Sequence, residues 1–137
     1  MSAERVIVLR GAPEIDEQNV ASAAITPGHL IEIDSNQWRP HSTAAGVATK
    51  VFALERDELG DEIDVAYAIG DYVKAGYFHQ GDRVNALVAS GQTITEGEHL
   101  ESAGDGTLRA FGSGVILATA AEDATTTALT RVAAIVI

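Results

Sequence analysis

Apolar residues along this chain gather in short runs separated by turn residues, and they rarely recur at helical spacing. Arg5-Val6-Ile7-Val8-Leu9-Arg10 opens as a β-type run. His29-Leu30-Ile31-Glu32-Ile33-Asp34 predicts a strand, Ser35-Asn36 a turn, and Gln37-Trp38-Arg39-Pro40-His41 the returning strand. Pro40 lacks an N–H for a ladder, so that strand belongs at an edge or near its own end. The runs 50–55, 72–78 and 83–89 predict three more strands. Residues 98–111 predict a hairpin around Gly104-Asp105-Gly106, since Asp-Gly suits tight β-turns. Two further strands, 115–120 and 128–137, close the chain. Only 44–53 and 63–69 fit helices, and both are short. Many short strands at a spacing of roughly 8–12 residues predict a mostly-β fold, a small barrel or sandwich.

Residues 11–24 break this pattern. Gly11, Pro13 and the polar stretch Glu14, Asp16, Glu17 and Gln18 show little periodicity. They predict an extended N-terminal arm over residues 1–24, preceding a β domain over 25–137. On that view Arg5, Val6, Ile7, Val8, Leu9 and Arg10 add as a strand to a partner's sheet edge. The last strand, Val132-Ala133-Ala134-Ile135-Val136-Ile137, is apolar on both faces, which predicts a central strand or one covered by another subunit. Val132, Ile135 and Ile137 are the candidate subunit contacts. A small element also recurs: Gly28-His29, Gly70-Asp71, Gly81-Asp82 and Gly97-Glu98-His99 each place glycine before a polar residue at a strand start. Turn chemistry explains it, with glycine making the bend and the polar side chain facing water.

Charge narrows the field. Nine basic residues against 20 acidic ones leave a net charge of −11. Phosphate backbones are bound by clustered Lys and Arg, so neither nucleic acid nor an anionic membrane is an expected partner. No cysteine is present, which removes disulfides, zinc–thiolate sites and thiol nucleophiles. No signal peptide and no membrane span are expected. His29, His41, His79 and His99 have no metal-ligand spacing and are expected on the surface or in turns. The acid run Glu55, Asp57, Glu58, Asp61, Glu62 and Asp64 lacks the order of a calcium loop and reads as a solvated loop. No serine sits in a nucleophile elbow, and Gly104-Asp105-Gly106-Thr107 lacks the lysine of a phosphate loop. Neither an enzyme nor a cofactor is expected.

From Ile25 onward the phrasing is similar to one family. The phrases are Ile25-Thr26-Pro27-Gly28-His29-Leu30-Ile31-Glu32; Asp64-Val65-Ala66-Tyr67-Ala68-Ile69-Gly70-Asp71-Tyr72-Val73; Gly81-Asp82-Arg83-Val84-Asn85-Ala86-Leu87; and Leu100-Glu101-Ser102-Ala103-Gly104-Asp105-Gly106-Thr107-Leu108. In this order they resemble the capsid decoration, or cement, proteins of tailed viruses. The resemblance implies a β-tulip-like decoration domain. It also implies a homotrimer on the outer capsid surface, bound to the major capsid protein and present in host cytoplasm before assembly. It carries no catalytic residue. The alternatives are a small ligand-binding barrel or enzyme, or another virion component such as a tail or head-completion protein.

Overall fold

The computed structural model describes residues 6–56 and 62–137. Arg5, Asp57, Glu58 and Asp61, named above, lie outside the described residues. Among those described the chain is all β, with thirteen strands and no helix. They are β1 (Val8–Arg10), β2 (Glu14–Asp16), β3 (Ile31–Asp34), β4 (Gln37–Pro40), β5 (Val51–Ala53), β6 (Ala75–Tyr77) and β7 (Arg83–Val88). Then come β8 (Thr93–Ile94), β9 (His99–Ser102), β10 (Leu108–Ala110), β11 (Ala118–Ala120), β12 (Ala124–Thr125) and β13 (Thr130–Val136). The expected helices are absent. Residues 44–53 hold Ala45 at φ 60°, Gly46 and the strand β5, and residues 63–69 form turns ending in a bridge from Tyr67 to Ile25.

Strands β7, β10, β9, β11 and β13 close into a five-stranded barrel, because β13 pairs with β7 as well as with β11. The β7–β13 ladder runs from Thr130↔Val88 to Ile135↔Arg83 and is the longest in the molecule. A barrel this narrow has little interior, so its strands alternate medium and very small side chains. Val84, Ala86 and Val88 of β7, Leu100 of β9, Leu108 of β10, Ala118 and Ala120 of β11, and Val132, Ala134 and Val136 of β13 fill it. Strand β13 is therefore central, with one face in the core and Arg131, Ala133 and Ile135 half-buried on the other. Val132 is fully buried in its own chain and is not available as a subunit contact.

A second lobe packs on the barrel. It comprises the sheet β2-β6-β5 and the hairpin β3-β4, around Trp38, Tyr67, Ile25, Ile31, Val51 and Val73. The hairpin turns at Ser35 and Asn36, both at positive φ, as a two-residue connection requires. Tyr67 anchors the loop that crosses this sheet. Its hydroxyl donates to the Leu54 carbonyl at 2.6 Å and accepts the Lys74 N–H at 3.2 Å.

The expected arm is part of the body. Strand β1 pairs antiparallel with β7, β2 with β6, and Val20 and Ala21 bridge to Tyr72 and Trp38. Ile7 is fully buried in the barrel core. Its N–H donates to the Glu55 carboxylate, while Asn85 Nδ2 donates to the Val6 carbonyl. The reason lies on β7, where the edge facing away from β13 reaches β10 only at Val88↔Leu108. Upstream, the Asn85 N–H donates to the Ile7 carbonyl and the Leu87 N–H to the Gly28 carbonyl. Without these two segments, buried donors on β7 would lack partners.

Replacing Ile7 with Ala is expected to lower unfolding free energy by about 2–5 kcal/mol, the usual cost of truncating a fully buried aliphatic side chain. Deleting residues 2–10 is expected to cost more and to leave the body poorly folded. Chemical denaturation of both variants checks this, and a deletion variant with an unchanged midpoint would contradict it.

Candidate binding cleft and the polar interior

Four turns share one construction. In Thr26–His29, Ala68–Asp71, His79–Asp82 and Thr95–Glu98 the N–H of the fourth residue donates to the carbonyl of the first, at 2.9–3.0 Å. The third residue is glycine at φ 91–99°, the geometry of a type II turn. The side chain of the fourth residue then returns the bond by accepting the N–H of the first. His29 Nδ1 does so at 2.9 Å, Asp71 Oδ2 at 2.9 Å, Asp82 Oδ2 at 2.9 Å and Glu98 Oε1 at 2.8 Å. The recurring glycine–polar pairs are thus closed boxes, and their polar side chains fold back on the turn. Glu98 occupies the place that His29 holds, so His29 and His99 are not equivalent. Gly28 adds a packing constraint, since a Cβ there would sit 3.1 Å from the Asn85 carbonyl oxygen.

His29 must be neutral at Nδ1 to accept the Thr26 N–H. Burial pushes its imidazole below the ordinary 6.5. Asp105 opposes this shift and Arg131 adds to it.

His41 is buried, against the expectation of a surface or turn residue. Its Nδ1 pairs with Ser102 Oγ at 2.7 Å and its Nε2 with the Val47 carbonyl at 2.9 Å, and Glu32 Oε1 lies 3.8 Å from Nε2. A serine, a histidine and a carboxylate therefore converge. The chemistry of a nucleophile does not follow. Ser102 is fully buried, and its hydroxyl accepts the Gly104 N–H at 3.1 Å while pairing with His41. With Nε2 donating to Val47, Nδ1 accepts the hydroxyl proton, and burial keeps the serine oxygen from any substrate. The group staples the 41–47 loop to β9, together with Ala45 N–H to the Ser102 carbonyl and Val115 N–H to the Ala45 carbonyl.

Glu101, also buried, plays a parallel part on β9. Oε1 accepts the N–H groups of Gly112 and Gly114, both at 3.0 Å, and Oε2 accepts Arg109 Nε at 2.8 Å. The two backbone donors, with the Arg109 guanidinium, hold its carboxyl below the usual range. Asp105 is held down chiefly by the Thr107 hydroxyl, and also by His29.

A cleft of about 430 Å³ opens between the β3–β4 hairpin, the 47–49 loop and strands β5 and β6. Ile31, Ile33, Trp38, Val47, Ala48 and Val51 form its apolar lining, joined by Glu32, His41, Thr49 and Tyr77. Trp38 and Tyr77 meet edge to face with centroids 6.2 Å apart. Glu32 Oε2 accepts Arg39 Nε and Ser42 Oγ, both at 2.7 Å. Despite partial burial, the Ser42 and Arg39 hydrogen bonds leave the Glu32 carboxyl below its ordinary range. Among the described residues the buried Trp38 indole N–H has no hydrogen-bond partner, an exception that calls for an explanation.

No residue named from the sequence as a partner or subunit contact lines this cleft, though His41 does. Val6 and Arg10 are exposed, Val8 and Leu9 half-buried and Ile7 buried, all along β7. Ile135 is half-buried and Ile137 exposed at the barrel end. Of the acid run, Glu55 accepts the Ile7 N–H and Asp64 pairs with Arg131 at 2.8 Å. Among the described residues no three His, Asp or Glu side chains come together as a metal site. The cleft was missed because it forms only where the β3–β4 hairpin, the 47–49 loop and Tyr77 of β6 pack together. A scan against protein-family models finds no match to this chain, and neither does a search of curated proteins.

Stability is expected to fall in two acid steps. His29 is depressed in the fold, so its contribution is present above pH 6.5. It declines as pH drops from there toward the folded value, by at most about 1.4 kcal/mol per pH unit. Glu32, Glu101 and Asp105 are also depressed, so their contributions hold above the ordinary carboxylate range and go as pH falls through their lowered values. In His29→Asn, whose amide oxygen can still accept the Thr26 N–H, urea titrations across pH should show the first step gone and the second intact. An unchanged first step would assign it elsewhere.

Proposed function

We propose that this chain is a structural protein of a tailed-virus particle, bound outside the assembled capsid, where it bridges major capsid protein subunits as a homotrimer. The observation that carries the reading lies within one of the family-like phrases. Ile69 and Tyr72 stand 73% and 65% exposed on either side of the Gly70-Asp71 turn. That turn is held rigid. Gly70 N–H donates to the Ala21 carbonyl, Ala21 N–H to the Asp71 carbonyl, and Arg56 pairs with the Asp71 carboxylate at 3.3 Å. Large apolar side chains on a pre-ordered turn lose little entropy on binding, and tyrosine is a frequent anchor in protein interfaces.

The polar interior supports the same reading. The Ser102–His41–Glu32 convergence and the Glu101 cluster are consumed in holding loops, which argues for a scaffold rather than an enzyme. A protein that binds only assembled shells stabilises them by mass action, and a trimer touching several subunits gains avidity from weak single contacts. Val6 and Arg10 beside and on β1, and Ile135 and Ile137 on and just beyond β13, remain as outward surface for such contacts, whereas Ile7 and Val132 belong to the core.

The Ile69→Ser, Tyr72→Ala double variant is expected to keep its thermal midpoint and to bind capsids at least about tenfold more weakly in co-sedimentation. Electron cryomicroscopy of virions carrying the protein should place three copies around local three-fold positions on the outer surface. Unchanged co-sedimentation would remove the Ile69–Tyr72 turn from the interface, and internal or tail density would overturn the proposal.

A further inference from the structure

The cleft beside the β3–β4 hairpin combines features that neither the fold nor a capsid role requires. Its volume falls in the range of ligand sites, roughly 300–1,000 Å³. Its apolar lining includes Ile31, Val51 and the edge-to-face pair of Trp38 and Tyr77. Against that lining stand three oxygens that accept no hydrogen bond from the described residues. They are Glu32 Oε1, the Thr49 hydroxyl and the Tyr77 hydroxyl. Glu32 differs in this from the buried Glu101, both of whose oxygens are engaged by donors. In Glu32 only Oε2 is engaged, by Arg39 and Ser42. Oε1 faces the His41 edge at 3.8 Å, and that imidazole nitrogen is already committed to the Val47 carbonyl.

We infer that this cleft binds the side chain of a lysine supplied by a partner polypeptide, with its ammonium on Glu32 Oε1 and its aliphatic stem along Ile33, Val47 and Tyr77. The charge sets the sign of the occupant. A carboxylate with a free oxygen on a body of net charge −11 repels anions and attracts cations. Donor count sets the type. An ammonium has three donors and no acceptor, matching three acceptors that line one cleft. A four-carbon stem lies along apolar walls while its charged end meets the acid, and aromatic rings beside the path favour a cation. Guanidinium is disfavoured because it binds carboxylates best through two oxygens, and one of these is already taken by Arg39. The inference is independent of the capsid proposal, because it concerns the chemistry of the occupant whatever protein supplies it.

Trp38 is the sole tryptophan and lines the cleft, so its fluorescence reports on this site. The probe is n-butylammonium chloride, with n-butanol as the neutral analogue and n-butylguanidinium as the competing cation. Butylammonium is expected to give a saturable fluorescence change at least about tenfold tighter than either analogue, an effect equivalent to about 1.4 kcal/mol. Backbone amide shifts should centre on residues 31–33 and 47–51. Glu32→Gln should abolish the preference over n-butanol. Because Glu32 also holds Arg39 and Ser42, a second variant leaves them in place. Val47, 78% exposed at the rim, is changed to Lys so that a tethered ammonium occupies the cleft, and butylammonium binding should be lost. Equal responses to butylammonium and n-butanol, equal or tighter binding of butylguanidinium, amide shifts centred elsewhere, or undiminished binding by Val47→Lys would each overturn the assignment.

Discussion

The structure depends on the second edge of one strand. Strand β7 spends one edge on β13 along its whole length, yet its opposite edge meets β10 at a single residue pair. The donors left along that edge are buried, and each must find an acceptor or cost about 1–3 kcal/mol. Three segments distant in sequence share the task. Ile7 takes the Asn85 N–H, Gly28 takes Leu87, and Leu108 takes Ala89. This requirement draws the N-terminal strand into the body and presses the first turn against the barrel. It also makes Gly28 necessary, because a side chain there would meet the Asn85 carbonyl oxygen and the Leu87 side chain. The barrel and the second lobe are joined through hydrogen bonds on β7, and neither edge is left open for another chain.

The polar residues follow the same economy. A narrow barrel with many alanines has little apolar surface to spend on fixing its long connections, so buried polar groups fix them. Glu101 gathers the 112–114 loop, while His41 and Ser102 gather the 41–47 loop onto the same strand, β9. Close backbone approach is part of the arrangement. A Cβ at Gly104 would meet Ala44 at 3.0 Å, one at Gly106 would meet Pro40 at 2.7 Å, and one at Gly114 would meet Ala45 at 2.4 Å. These contacts lock the hairpin tip between β9 and β10 under the 41–47 loop. Proximity of serine, histidine and glutamate is here an outcome of fastening a loop, and the full burial of Ser102 distinguishes it from a catalytic set, whose nucleophile must reach a substrate.

Much of the fold was legible because its signals are local. The runs that became β3, β4, β5, β7, β9, β10 and β13 are bounded by turn residues whose backbone demands are written in one or two positions, such as Ser35-Asn36 and Gly104-Asp105-Gly106. What stayed hidden is set by distant partners. Glu14-Ile15-Asp16 has no strand signal of its own and is extended because β6 pairs with it. Val8 meets Val84 across most of a barrel's length of chain, and no residue of the first ten announces that partner. The alanines of 44–53 suggested a helix, but the positive φ of Ala45 is required where that loop crosses Gly114. His41 looked like any polar residue beside a proline, and its burial follows from a serine that lies 61 positions further along. The cleft was illegible for a related reason: most of its lining lies between residues 31 and 51, but it forms only when the 47–49 loop and Tyr77 pack against the hairpin, which that stretch does not signal.

Charge and exposed apolar surface, taken together, say when this protein should associate. At net −11, two free copies repel each other before their apolar residues can meet, and the repulsion weakens only within a Debye length of about 8–10 Å in moderate salt. Ile69 and Tyr72 are rigidly presented, so the contact itself costs little ordering once charge is overcome. A partner surface carrying positive charge removes that barrier and gains the apolar contact at once, whereas a second free copy does neither. Glu32 fits the same logic at the scale of one side chain, being a carboxylate in the cleft with Oε2 engaged by Arg39 and Ser42 and Oε1 accepting no hydrogen bond from the described residues. Under the capsid proposal, association on a template and solubility before the template is met would need no conformational change. They follow from where the acids stand relative to the apolar anchors, and a lattice that supplies basic groups at fixed spacing would draw copies into contact that they do not make alone.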